Sequence, residues 1–247
     1  MNDSMMKIEE VPASNGWLWI KEGFSLFKKN PGMWIVLFLI YFIIAFLMSL
    51  VPFIGQIGLN LIAPVFVAGF MLACRDLEAN KDLEINHLFA GFKLQATPLI
   101  TVGGIYMVGI IAIVGIVFML GVDREALKNA TEGLNPTDAE VAMMTTLTKP
   151  LLMIMLLLVP LMMAYWFAPP LVLFKGLSAI DAMKQSFLAC MRNMLPFLVY
   201  GLLAMVLLIL AAIPFGIGLL VMIPVMMASL YVSYKDIFES DTEDNRL

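Results

Sequence analysis

Apolar and polar positions along this chain fall into long blocks rather than fine alternation. Near-continuous apolar runs occupy 33–51, 57–74, 99–121, 151–174, 195–213 and 217–234. A bilayer core of about 30 Å takes about 20 helical residues to cross, so each run predicts a transmembrane helix. No run has the period-two alternation of a barrel strand, and an open strand would leave its backbone unpaired in lipid. Pro214, Gly216 and Gly218 interrupt the last two runs in IPFGIG, and VPFIGQIG at 51–58 separates the first two. Both interruptions predict tight reversals, so the spans read as hairpins.

The segments before the hairpins follow a different rule. They are WLWIKEGFSLFKKNP, LEINHLFAGFKLQATP and LSAIDAMKQSFLACMRNMLP, and each mixes apolar and charged residues at helical spacing. In the first, Trp17, Ile20, Phe24 and Phe27 share a face, with Lys21, Ser25, Lys28 and Lys29 opposite. The second groups Ile85, Leu88, Phe89 and Phe92, and the third Ile180, Met183 and Phe187, leaving Lys184 and Arg192 for water. Helices too charged to span and too apolar to leave the surface are expected to lie in the headgroup plane. Pro31, Pro98 and Pro196 then restart the chain, with Asn30 and Thr97 as N-caps for the first two.

The Gly-Phe-x-Leu of GFSLFKKNP returns in GFKLQATP, and the exits match too: Pro64 precedes Arg75-Asp76 at the same interval as Pro224 precedes Lys235-Asp236. The expected fold is an all-α integral membrane protein of six spans in three hairpins, each preceded by an interfacial amphipathic helix, a pseudo-threefold internal repeat. A single membrane domain covers 1–247, with repeat units at about 17–76, 84–174 and 178–238 and flexible polar tails at 1–15 and 239–247. The middle unit carries a polar insertion at about 122–149, within which Asn135-Pro136 predicts a helix start running to about Met144. That insertion reads either as a solvated connection or as a small lid or partner-binding loop.

Composition agrees with the pattern. The chain is 62% hydrophobic and 14% charged, against about 45–50% and about 25% in soluble domains. Its net charge of −4 and lack of a basic cluster exclude a nucleic-acid partner. The N-terminal stretch is polar and the first apolar run long enough to span, so no signal peptide is expected. Twelve of the fifteen basic residues flank one side of the predicted spans, leaving Arg124, Lys128 and Lys149 for the other. The positive-inside rule then places both termini in the cytoplasm.

Candidate chemistry is narrow. His87 is the single histidine, so no histidine-based triad or multi-histidine metal centre can be built from one chain. Cys74 and Cys190 fall at predicted cytoplasmic membrane edges and read as small apolar packers, with no disulfide. Asp76, Glu78, Asp82 and Glu84 have Arg75 and Lys81 among them and read as a solvated loop rather than a cation site. No catalytic, metal or cofactor-binding residue is assigned, and no cofactor is expected. Asn129-Ala130-Thr131 has the form of a glycosylation sequon, which acts only in a eukaryotic secretory pathway.

The spans carry no Asp, Glu, Lys, Arg or His in their middles, which argues against proton coupling through carboxylates. Pro64, Pro160, Pro169, Pro170 and Pro224 are candidate helix-break positions, read either as ordinary packing or as broken helices around a transport site. Gly69 with Ala73, and Gly103, Gly109, Ala112 and Gly115, form small-residue stripes that serve either the bundle or a dimer. Trp17, Trp19, Trp34 and Trp166 suit interfacial anchors, Trp166 lying deeper.

GWLWIKEGFSLFKKNP, followed by a span, VPFIG and an Ala-Pro helix, resembles a family of uncharacterised bacterial inner-membrane proteins with a Gly-Trp-x-Trp-Ile, Gly-Phe and Pro signature. More distantly, the triple hairpin is similar to the membrane domain attached to some glycerophosphodiester phosphodiesterases. The resemblance implies an inner-membrane, multi-pass location; the family has no assigned activity to transfer, and no phosphodiesterase residues carry onto this chain. The expected function is a non-enzymatic lipid- or partner-binding module; the alternative is a transporter or channel for a small or lipid-like molecule. Expected partners are membrane lipids, and a membrane protein or a second copy. Candidate headgroup contacts are Trp17, Trp19, Lys21, Lys28, Lys29, Lys93, Lys184 and Arg192.

Overall fold

The computed structural model describes residues 7–120 and 136–239. The chain forms α1 (Asn15–Lys29), α2 (Pro31–Ser49), α3 (Ile54–Glu78), a 3-10 helix (Ile85–Phe89), α4 (Ala90–Leu94), α5 (Ala96–Leu120), α6 (Pro136–Trp166), α7 (Ala168–Lys175), α8 (Ala179–Arg192), α9 (Met194–Ala212) and α10 (Leu219–Phe238). No strand occurs among the described residues. Six stretches are long and apolar enough to cross a membrane: Pro31–Ser49, Ile54–Glu78, Ala96–Met119, Thr146–Lys175, Met194–Ala212 and Leu219–Phe238. The protein is therefore an all-helical, multi-pass membrane protein.

Local chemistry sets the element boundaries. Asn30 caps α2 by accepting from the Met33 N–H at 3.2 Å, with Pro31 in the first turn. Thr97 is not the second cap, because α5 already begins at Ala96 and the Thr97 carbonyl accepts from the Thr101 hydroxyl. Both reversals place a phenylalanine after proline at positive φ, Phe53 at 59° and Phe215 at 52°, and both rings point outward, 85% and 101% exposed.

The fourth predicted span, 151–174, proves to be two helices. α6 runs unbroken from Pro136 through Pro150 and Pro160, so the short helix predicted to end near Met144 is continuous with the span. The break comes at Phe167, just before Pro169 and Pro170 remove two backbone donors. Buried Ser186 of α8 staples it: its hydroxyl accepts from the Phe167 N–H at 2.8 Å and donates to the Met163 carbonyl at 2.6 Å. The predicted turn of the middle hairpin and the sequon lie outside the described residues.

Part of the tail expected at 1–15 is held by hydrogen bonds. The Glu9 N–H donates to the Ile237 carbonyl, and Asn193 bonds both Val11 N–H and Glu9 carbonyl, so 8–11 are pinned against the ends of α8 and α10. Glu239 is likewise held, by Arg75 and Tyr234. The first six residues and 240–247 lie outside the described residues.

Half of each spanning stretch of α3 and α10 is buried, against less than a fifth for the other four, which makes these two the central helices. Trp34, Phe38 and Phe70 stack where α2 meets α3, with the Phe38 and Phe70 rings 4.7 Å apart. α1 packs on α9 and α10, the 3-10 helix and α4 pack on α3, and α8 packs on α6 and α7. Two glycines permit these contacts. A Cβ at Gly23 would lie 2.5 Å from Ser229 Oγ and 2.9 Å from the Val225 carbonyl, and one at Gly91 would overlap the Val65 carbonyl. Gly-Phe therefore recurs because each short helix must sit on the carbonyl that follows Pro64 or Pro224. Of the small-residue stripes, Gly69 and Gly103 meet backbone inside the bundle, whereas Gly115 has open space.

Candidate functional site

The short helices bury faces different from those their apolar residues suggested. α1 buries Gly16, Trp19, Ile20, Gly23, Leu26 and Phe27, while Trp17 and Phe24 remain 49% and 44% exposed. α8 buries mainly small residues, Ala179, Ala182, Ser186, Ala189 and Cys190, beside Met183. Its grouped Ile180, Met183 and Phe187 line a cavity of about 300 Å³ against α5 and α6, with Lys184 in the same wall. The second segment is a 3-10 turn and one short α-helix rather than a continuous helix, and Leu88 is its buried anchor.

This geometry divides the candidate headgroup residues. Lys21, Lys28, Lys93, Lys184 and Arg192 are exposed, as is Trp17. Lys28 lies over the Phe24 ring at 5.1 Å, pairing a cation with an exposed aromatic face. Trp19 is not among them, since it is 1% exposed and donates its indole N–H to Asp236 at 2.7 Å. Lys29 is exposed but engaged, donating to the Leu77 carbonyl and Asn80 at the end of α3. Trp34 is fully buried rather than interfacial.

One end of the bundle gathers the short helices and the C-termini of α3, α7 and α10. Arg75, Lys175 and Lys235 occupy the last turns of those three helices, where they complement the negative helix ends. Arg75 pairs with Glu239 at 2.7 Å and stacks 3.4 Å from the centre of the Phe174 ring. Tyr231 and Lys235 both donate to Glu78, at 2.8 and 2.7 Å. Asp76 accepts from Lys81 at 2.7 Å and from His87 Nε2 at 3.0 Å, while His87 Nδ1 accepts from the Glu84 N–H. His87 and the acids Asp76, Glu78 and Glu84 thus hold the 76–90 connection and the helix ends together.

Two further cavities are informative. A polar cleft of about 320 Å³ opens among Asn15, Trp19, Glu22, Glu78, Lys235 and Asp236. Burial, then the neighbouring Asp236 charge, raises the Glu22 carboxyl above the ordinary carboxylate range. Sequence reasoning missed this cleft. The larger cavity, about 780 Å³, lies between α6 and α9. Its wall is apolar, with Met162, Met163, Phe197, Leu198, Gly201 and Met226 prominent, and Cys190 closes it beside α8. Burial pushes the Cys190 thiol up to about 12, the behaviour of a packer rather than a nucleophile.

Pro64, Pro169, Pro170 and Pro224 are all buried, and none lines the 780 Å³ cavity. Two polar side chains of the spans are satisfied locally: Asn60 bonds the Gln56 carbonyl and Thr101 the Thr97 carbonyl.

No family model matches the chain, and no solved structure matches it. Among curated proteins it is similar to one from Burkholderia thailandensis named "Probable inner membrane protein", at 34% identity over 256 residues covering 93% of this chain and 91% of the relative. Similarity across nearly both full lengths, together with six apolar spanning helices, places the chain in the family of that protein: it is a multi-pass inner-membrane protein of that family.

Proposed function

We propose that the protein is a non-enzymatic lipid-binding module of the inner membrane, with both termini in the cytoplasm. Three units, each a short amphipathic helix followed by a helical hairpin, surround the bundle in pseudo-threefold fashion. Support comes from a recurring arrangement: each short helix packs on the last helix of the preceding unit, α1 on α10, the 3-10 helix and α4 on α3, and α8 on α6 and α7. The matched Gly23 and Gly91 contacts and the last-turn cations Arg75, Lys175 and Lys235 follow the same scheme.

The observation that carries the lipid reading is the outward face of these helices. Lys21, Lys28, Lys93, Lys184 and Arg192 are exposed beside exposed Trp17, Phe24, Ile85, Phe92 and Ile180. That combination suits anionic headgroups above and acyl chains below, each cation near the surface contributing about 1 kcal/mol. A catalytic role has little to draw on, because His87 is engaged with Asp76 and the Glu84 backbone and the cysteines are buried.

Combining Lys28→Glu, Lys93→Glu and Lys184→Glu is expected to lower retention of phosphatidylglycerol at least tenfold, read by native mass spectrometry of the protein released gently from its membrane. Lys29 is left in place because it caps α3. Undiminished phosphatidylglycerol on the triple variant would refute the headgroup reading. For the orientation, a cytoplasm-active reporter fused after Leu247 is expected to work, and the same reporter inserted beside Gly133 to be silent. Activity at Gly133 would invert the proposed threading.

A further inference from the structure

We propose that the groove between α6 and α9 holds one acyl chain of an anionic phospholipid drawn from the surrounding leaflet. This rests on the lipid-binding reading above and adds a defined seat within the membrane. Around the bundle α5 packs closely on both α3 and α6, but α6 and α9 flank an opening instead of closing on each other. Its volume of about 780 Å³ lies within the ~300–1,000 Å³ of pockets that enclose small ligands. The groove is also continuous with the lipid-facing surface. Val159, Met162, Leu195 and Leu198 belong to its wall and are 53%, 48%, 67% and 59% exposed. A chain from the adjoining leaflet enters sideways without crossing any polar barrier.

The wall chemistry favours a flexible aliphatic occupant. Met162, Met163, Met194 and Met226 supply unbranched, polarizable side chains that adapt to a mobile chain. Gly201, which has no neighbour where a Cβ would stand, leaves the floor of α9 bare, and Ala204, also in the wall, keeps the side chain small one turn on. Exposed Arg192 lies in sequence between the wall residues Cys190 and Met194 and supplies positive charge at the headgroup end. A helix from a second copy fits less well. At about 10 Å across, a helix fills about 420 Å³ in each 5.4 Å turn, so the cavity would accommodate fewer than two turns of a much longer span.

The test uses the full-length protein in phosphatidylcholine nanodiscs doped with phosphatidylglycerol that carries a photoreactive diazirine on one acyl chain. Labelling is expected to concentrate at 159–166 and 194–208 and to be competed by unlabelled phosphatidylglycerol. Gly201→Trp, and the milder Gly201→Leu, are expected to reduce it about tenfold without lowering the melting temperature, because nothing lies within 4 Å of the position a Cβ would take. Labelling equally dense at exposed Phe42 and Phe46 of α2, or unchanged in both groove variants, would overturn the proposal. So would a dimer mass with the groove unlabelled, which would assign the opening to a second copy. If the charge-reversal triple variant loses lipid while groove labelling is insensitive to filling, the module stands and the groove proposal falls. If groove labelling persists in a triple variant that still retains phosphatidylglycerol, the headgroup reading falls and the groove stands.

Discussion

Gly91→Ala and Gly23→Ala are each expected to destabilise the protein by about 3 kcal/mol, near the upper end of what forced overpacking costs. At Gly91 the added methyl overlaps the Val65 carbonyl, and at Gly23 it meets Ser229 Oγ at 2.5 Å and Ser229 N at 2.7 Å. Apart from the Ser229 hydroxyl, the obstruction is helix backbone, which cannot rotate aside as a side chain does. α1 must therefore lift from α10, and it takes with it the buried Trp19, Ile20 and Phe27 and the Trp19 bond to Asp236. Gly115→Ala is the control, because nothing lies within 4 Å of its would-be Cβ. It is expected to be neutral or to gain up to about 1 kcal/mol from helix propensity. Unfolding midpoints in mixed detergent and dodecyl sulfate report the difference. A Gly91→Ala midpoint as high as that of Gly115→Ala would mean that the short helix does not bear on α3 in solution.

The spans were legible because length and apolarity suffice to identify them, and α2, α5 and α9 begin and end within three residues of the predicted runs. Which face turns inward was much less legible. Lipid is as apolar as Leu or Phe, so hydrophobicity does not mark the interior of a membrane bundle; small and weakly polar residues that admit close backbone approach mark it instead. On α1 this moves the buried face from Trp17 and Phe24 to Gly16, Trp19 and Gly23, and on α8 it favours Ala182, Ser186 and Ala189. The groove was invisible for the same reason. Nothing in the sequence separates Met162 and Leu198 from the other apolar residues of the spans, and only the placement of α6 against α9 makes them a wall.

Helix breaks were half legible. Pro169 and Pro170 announce an interruption, but its position and tolerance depend on Ser186, which reaches from another helix to satisfy the Phe167 N–H. Pro150 and Pro160 send the same sequence signal, yet α6 passes through both. In a spanning helix the freed carbonyls are re-satisfied by neighbours or small local adjustments, so proline alone does not fix a boundary.

Trp34 gives the sharpest discrimination between an interfacial anchor and a core residue. It is fully buried, and its indole ring stacks at 6.1 Å and 16° on Phe70. Its N–H has no hydrogen-bond partner. Trp34→Ala is expected to cost about 3–5 kcal/mol, the cavity cost of removing a large buried aromatic, because Phe38 and Phe70 cannot close the space. Trp34→Phe is expected to cost less than about 1.5 kcal/mol, since the lost ring volume is offset by removing an unpaired buried donor. An anchor at the headgroup level predicts equal weighting. There the N–H is the working group, phenylalanine loses it, and both substitutions damage the protein alike. The two midpoints, measured against the parent, decide where α2 enters the membrane. Equal losses would place Trp34 at the lipid surface and shift the first span outward by a turn, whereas a tolerated phenylalanine fixes it against α3 beneath the short helices.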